Sequence, residues 1–252
     1  MAKAPNNKKL IAISIVAYVV FLIALMPVNV VYKALAPKNL PVDVVAVSGT
    51  LWDGSIVVNH PMTGQVSTDW QLSVLPLFWG QLALNIELSG NQLELDSDIT
   101  AFPISQTVTL GKTTGLVGQS LINKAIRQTQ RTMEGDVEIN IQALEYNFAD
   151  KQALKADGNL VWLGGEVSYP VGRKTKRTTM PMLVAKLSEQ QGRLLVDLQT
   201  TDGNGVAQAH LNTDGWGGVS IYKRMLDLIN EPWPGNVGPD DVIFEVSERV
   251  LK

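Results

Sequence analysis

Long stretches of the chain alternate apolar and polar residues. Leu82, Leu84, Ile86 and Leu88 are separated by Ala83, Asn85 and Glu87, and Leu93 and Leu95 by Glu94. Val137, Ile139 and Ile141 alternate with Glu138 and Asn140, and Val242, Phe244 and Val246 repeat the pattern near the end. One apolar and one polar face per segment predicts half-buried antiparallel strands. Turn formers recur among them: Ser89-Gly90-Asn91, Asp157-Gly158-Asn159, Gly164-Gly165, Gln191-Gly192 and Asp202-Gly203-Asn204-Gly205. The chain is therefore read as mainly β with short connections.

Two segments follow the helical period instead. From Gln119 to Met133, Leu121, Ile122, Ala125, Ile126, Thr129 and Met133 share one face, with Lys124, Arg127 and Arg131 on the flank. A second helix is predicted from Ile221 to Asn230, capped by Ser220 and ended by Pro232.

The N-terminus has neither period. Leu10 to Met26 reads LIAISIVAYVVFLIALM, without a charge, and Pro27 to Val31 extends it towards the about 20 residues that span hydrocarbon. A core helix would carry a polar stripe, and none is present. The segment is read as a single transmembrane helix. A cleaved signal peptide is the alternative, with Ala34-Leu35-Ala36 as its site. Its apolar region would be shorter, and Pro37 would follow the cut. The predicted organisation is a basic tail over 1–9, an uncleaved signal anchor over 10–31, a linker over 32–40 and a β-rich domain over 41–252.

Charge agrees with that division. Before residue 40 there are five bases, Lys3, Lys8, Lys9, Lys33 and Lys38, and no acid. The remainder carries 16 bases and 24 acids. The asymmetry points to a membrane contact, and the positive-inside rule puts the N-terminus in the cytoplasm. An acidic body argues against nucleic-acid binding.

Composition removes most chemistry. Zero Cys excludes disulfides, thiolate metal sites and Cys nucleophiles, and two His leave little for a metal centre. Gly111-Lys112-Thr113 lacks the earlier glycine of a phosphate loop, because Gln106 stands there, and reads as a turn. Asp96 and Asp98 share a strand face, open to weak cation binding or to plain solvation. Asp240 and Asp241 follow Gly238-Pro239 in a turn, and His60 and His210 are read as solvated or packed. No catalytic, cofactor or metal residue is assigned, and the expectation is a non-enzymatic protein without cofactor. Arg173, Lys174, Lys176 and Arg177 form the densest basic run. They are read as a charged hairpin loop or as a contact for anionic headgroups or an acidic partner.

Val47-Ser48-Gly49-Thr50-Leu51-Trp52-Asp53-Gly54 follows the apolar segment by about twenty residues, and Asp69-Trp70-Gln71-Leu72 follows in turn. This arrangement resembles the protein N family of the type II secretion system, clearly over residues 10–90 and more weakly to the end. The resemblance implies a single-pass bacterial inner-membrane protein with a periplasmic domain that supports export of folded proteins across the outer membrane. It implies contact with the inner-membrane platform and the outer-membrane secretin. It also implies an elongated, curved antiparallel sheet of AsmA-like character. Gly49, Thr50, Leu51, Trp52, Gly54 and Trp70 carry over as a fold signature, not as a site. Within it Trp52 is read either as a cap on the sheet end or as a partner contact. A fainter echo, Gly158-Asn159-Leu160-Val161-Trp162-Leu163-Gly164-Gly165, admits two similar β halves or coincidence. The second functional reading is an envelope protein holding lipid on one apolar sheet face.

Overall fold

The computed structural model describes residues 42–251, residues 25–35 and residues 11, 14, 15, 17, 18, 21 and 22. The tail over 1–9 and much of the anchor over 10–31 lie outside the described residues. Among the described residues, no helix is long and apolar enough to cross a membrane. Residues 11 to 22 are helical where described, and a helix over Val28–Leu35 runs across the expected boundary between anchor and linker.

Strands dominate the rest. They are β1 (Asp43–Gly49), β2 (Asp53–His60), β3 (Gly64–Ser73), β4 (Leu82–Gly90), β5 (Leu93–Phe102) and β6 (Thr107–Val117). There follow β7 (Thr132–Met133), β8 (Val137–Asn147), β9 (Gln152–Trp162), β10 (Gly165–Val171) and β11 (Lys174–Met180). The last five are β12 (Leu183–Gln190), β13 (Arg193–Thr200), β14 (Gly205–Leu211), β15 (Trp216–Tyr222) and β16 (Val242–Arg249). Thirteen of them form one antiparallel sheet, ordered β1 to β6, β8, β9 and β12 to β16, with β1 and β16 as its edges. Strands β11, β10 and β7 form a separate three-stranded sheet.

Alternation gives the large sheet an apolar face that crosses every strand. One register row reads Val47, Ile56, Thr68, Leu88, Leu95, Gly115, Ile139, Leu160, Ala185, Leu198, Ala207, Ile221, Phe244. Only Thr68 is polar. At the usual strand spacing, this row is about 58 Å long. In the adjacent row Ser97 and Thr113 are buried, with their hydroxyls 2.7 Å apart. That bond removes most of the cost of burying two polar groups on an apolar face.

The strands have two unlike ends. One carries the turns after β1, β3, β5, β8, β12 and β14. The other carries the three-stranded sheet and the Gln119–Ala125 and Lys223–Leu228 helices. The core sits at this second end. Trp162, Met180, Leu183 and Val206 are buried together, with Met133, Val137, Val167, Leu198, Met225, Leu228 and Ile229 packed around them.

Several expectations change. The helix expected over Gln119 to Met133 stops at Ala125, with a 3-10 turn over Arg127–Thr129 and Gln130 at φ 56°. The Asn123 side chain holds both the N–H and the carbonyl of Met133, at 2.8 and 2.9 Å, while Met133 pairs with Val167 in the small sheet. That pairing takes residues whose spacing would have continued the helix. Ser220 caps nothing: it lies within β15, and the second helix starts only at Lys223. Asp157-Gly158-Asn159 and Gly111-Lys112-Thr113 are not turns but interior parts of β9 and β6. Gly158 is needed in its strand because a Cβ there would come 2.6 Å from the Ile141 Cα.

Candidate functional site

The Gly49-to-Gly54 block is the turn between β1 and β2, not an extended stretch with side chains on opposite faces. Gly49 has φ +88°, a conformation L side chains rarely adopt. Across the turn the Thr50 N–H donates to the Asp53 carbonyl at 2.7 Å, and the Thr50 hydroxyl accepts the Asp53 N–H at 3.2 Å. Leu51 and Trp52 form the bend, both half-buried. Leu72 donates its N–H to the Trp52 carbonyl at 2.6 Å, tying the bend to β3.

Trp70 completes the lock. It pairs with Gly54 across β2 and β3, and a Cβ on Gly54 would overlap its indole. The Trp70 Nε1–H donates to the Leu51 carbonyl at 3.2 Å. Gly54 is thus small because an aromatic plane occupies its side-chain space. All six signature residues meet at one end of the sheet.

The chain from the N-terminal segment reaches the same turn. Leu51 donates its N–H to the Met26 carbonyl at 3.3 Å, and Pro27 forms an isolated antiparallel bridge with Thr50. Val28, at the start of the Val28–Leu35 helix, is buried. The block therefore joins the segment before residue 35 to the first hairpin. Met26 and Pro27 gave no sign in the sequence of this contact, because a single bridge across 23 residues leaves no period.

The basic run is a hairpin, as expected, but its turn is only Gly172 and Arg173; Lys174, Lys176 and Arg177 lie on β11. Lys176 Nζ is 2.6 Å from Glu231 Oε1, and Arg177 pairs with Glu166 at 3.7 Å. Arg173 and Lys174 have no ion-pair partner among the described residues. Glu231 also accepts the Tyr169 hydroxyl at 2.9 Å. The hydrogen bond from Lys176, then that from Tyr169, holds its carboxyl below the usual range. Burial, then the Glu231 contact, pushes the Tyr169 phenol up to about 12.

Behind that hairpin lies an apolar cavity of about 540 Å³, lined among others by Met133, Val167, Met180, Met225, Ile229 and Trp233. The remaining sequence candidates are ordinary. The Asn85 amide bridges Asp96 and Asp98 at 3.0 and 3.2 Å, and Asp241 accepts the Gly238 N–H at 2.8 Å. Asp240 pairs with Arg224. His60 accepts the Met62 N–H at 3.1 Å, and His210 lies within β14. No group of three or more His, Asp or Glu positioned for a metal occurs among the described residues.

No curated protein and no solved structure matches the chain. A family model described as type II secretion system (T2SS), protein N, matches residues 41–222. The match takes in the turn, Trp70, the basic hairpin and the sheet through β15. It stops before the Lys223–Leu228 helix and β16, and begins after the apolar N-terminal segment. With most of its length matched, including every signature residue, the chain belongs to the T2SS protein N family.

Proposed function

We propose that this component of the type II secretion system is held at the bacterial inner membrane by residues 10–31 and works in the periplasm. It supports export of folded proteins across the outer membrane by contact with other components, the inner-membrane platform first and the secretin second, and not by catalysis. The observation that carries this reading is the family match, which runs from residue 41 through β15. The docking of Met26 and Pro27 onto the signature turn supports it further, because it joins the domain to the expected anchor. The exposed Arg173 and Lys174 are available to an acidic partner. The experiment is in-cell photocrosslinking from Trp52, Arg173 and Lys174 in the full chain, beside a secretion assay in a deletion strain. The expected result is crosslinks to secretion components and loss of export. Normal export of every substrate with no component captured would overturn the proposal.

A second reading, lipid handling in the manner of AsmA-like proteins, is favoured by the apolar row across all thirteen strands. Open twisted sheets of more than about ten strands tend to curl, which would make such a face a trough. Native mass spectrometry of gently purified full chain tests it: co-purified phospholipid is expected on this reading, and bare protein counts against it.

A further inference from the structure

The two loops beside the signature turn, at the same end of the sheet, are bare and apolar. The β3–β4 connection holds Val74-Leu75-Pro76-Leu77-Phe78-Trp79-Gly80, and the β5–β6 turn holds Pro103-Ile104. Leu75 is 71%, Phe78 79%, Trp79 72% and Ile104 94% exposed. The end of the Ile104 side chain reaches Gly80, where a Cβ would stand 3.9 Å away, so the loops form one patch. No charged residue occurs from Trp70 to Ile86 or from Ile99 to Gly111.

The patch is confined to the side where the N-terminal segment arrives. The β3–β4 connection lies two strands from the turn that bonds Met26, about 10 Å along the sheet, and Ile104 about 20 Å. Further along the same end the turns carry polar and charged residues, Asp150 and Lys151 after the half-exposed Phe148, then Gln191, then Asp214. A patch evolved for folding alone would be covered, and four large apolar side chains left in water are unfavourable. Uncharged loops with Trp beside aliphatic residues suit the boundary between headgroups and acyl chains.

We propose that Leu75, Phe78, Trp79 and Ile104 seat in the outer leaflet of the membrane that holds the N-terminal segment. The sheet then stands on the bilayer by this end. The proposal rests on the anchor reading above, which fixes which end of the sheet is close to lipid. With the anchor it gives two points of attachment and sets the orientation of the sheet, which one helix and a single turn contact would leave free.

The chain contains no cysteine, so single-cysteine variants report cleanly. Full-length Trp79→Cys, Ile104→Cys and Met62→Cys are labelled with an environment-sensitive fluorophore. They are reconstituted in vesicles of phosphatidylethanolamine and phosphatidylglycerol containing doxyl-labelled lipid. Met62 lies in the turn at the opposite end of β2 and is also exposed. Strong quenching at 79 and 104, with none at 62, is expected. Ile104 is almost fully exposed, so its replacement leaves the fold intact even if that of Trp79 does not. Labels at 79 and 104 no better quenched than at 62, on chain that floats with the vesicles after carbonate washing, would overturn the seat alone. Chain that does not float would overturn the anchor and the seat together. Shielding that arises only when other secretion components are added would also overturn the lipid assignment, in favour of a protein contact.

Discussion

The two ends of the large sheet use the same small device for different purposes. At the junction end Trp70 lies on Gly54 and donates to the Leu51 carbonyl at 3.2 Å. At the other end Trp162 lies beside Gly135, where a Cβ would be 3.0 Å from Nε1, and donates to the Glu134 carbonyl at 2.7 Å. Each indole faces a glycine in the left-handed or close-packed state and ties down a nearby backbone oxygen. Trp162 does so in the buried cluster with Met180, Leu183 and Val206. Trp70 is only half-buried, and among the described residues its end of the sheet carries no cluster like the one around Trp162. The Trp162 clasp adds to a core. The Trp70 clasp fixes a turn to which the N-terminal segment is joined. An aromatic residue on a glycine thus contributes through apolar burial where a core exists, and through backbone geometry where none does.

The sharpest way to break this comparison is to remove each ring. Trp162→Ala should destabilise the whole domain by about 3–5 kcal/mol, the usual cost of emptying a large core side chain. A cooperative loss in chemical denaturation of the full chain checks it; a local effect confined to the three-stranded sheet would contradict it. Next in size is Gly54→Ala. Its Cβ would displace the Trp70 ring and approach the Thr50 carbonyl at 2.8 Å, an overpacking expected to cost about 1–3 kcal/mol. Hydrogen exchange should show the loss at Leu51 and Leu72, with the core around Trp162 unaffected. Trp70→Phe removes the N–H together with the Cε2 and Cζ2 atoms that lie on Gly54, so the ~0.5–1.5 kcal/mol of the hydrogen bond is expected with the lost ring contact added to it. A cost of Trp70→Phe below about 0.5 kcal/mol would show that neither the hydrogen bond nor the ring contact holds the turn.

Smaller effects belong to the far end. Glu231 has a lowered carboxyl pKa in the folded protein, so the folded state holds its proton less tightly than the unfolded state does. Its contribution is fully present above the ordinary value of 4.5 and is lost as pH falls through the lower folded value. Acid titration of the parent and of Glu231→Gln should therefore converge at low pH and separate towards neutrality. Tyr169 acts in the opposite direction: its stabilising effect is full below pH 10 and declines as pH rises towards about 12. The smallest change is expected for Arg173→Gln with Lys174→Gln, within about 0.5 kcal/mol in stability. A loss of crosslinking without loss of fold would mark these two as contact residues, in contrast to the paired Lys176 and Arg177.

Strand existence was legible because alternation is local. Leu82 to Leu88 and Val137 to Ile141 announce β4 and β8 without any knowledge of their neighbours. The helices were legible only as periods. The apolar spacing from Leu121 to Met133 is satisfied equally by a helix or by a short helix followed by a strand. The choice fell to Asn123 clamping Met133 and to the partner strand β10. The three-stranded sheet had almost no sequence signal, since β7 is two residues long. Glycines misled in one direction. Gly158 and Gly111 look like turn residues, yet stand in strands, Gly158 because its cross-strand neighbour approaches too closely for a side chain.

By itself the sequence determined a mainly β domain, the positions of β4, β5, β8 and β16, the absence of cysteine chemistry and, through the Gly49–Gly54 block and Trp70, the resemblance to the family. Those properties follow from residue type and short-range period. Tertiary structure alone decided that Trp70 closes over Gly54, that Met26 and Pro27 reach the turn, and that the exposed Phe78, Trp79 and Ile104 gather beside it. It also decided that residues from all thirteen strands of the large sheet line up in one register row in which only Thr68 is polar. Each of these depends on pairing between residues far apart in the chain. A linear pattern carries no record of which distant strand will supply the partner.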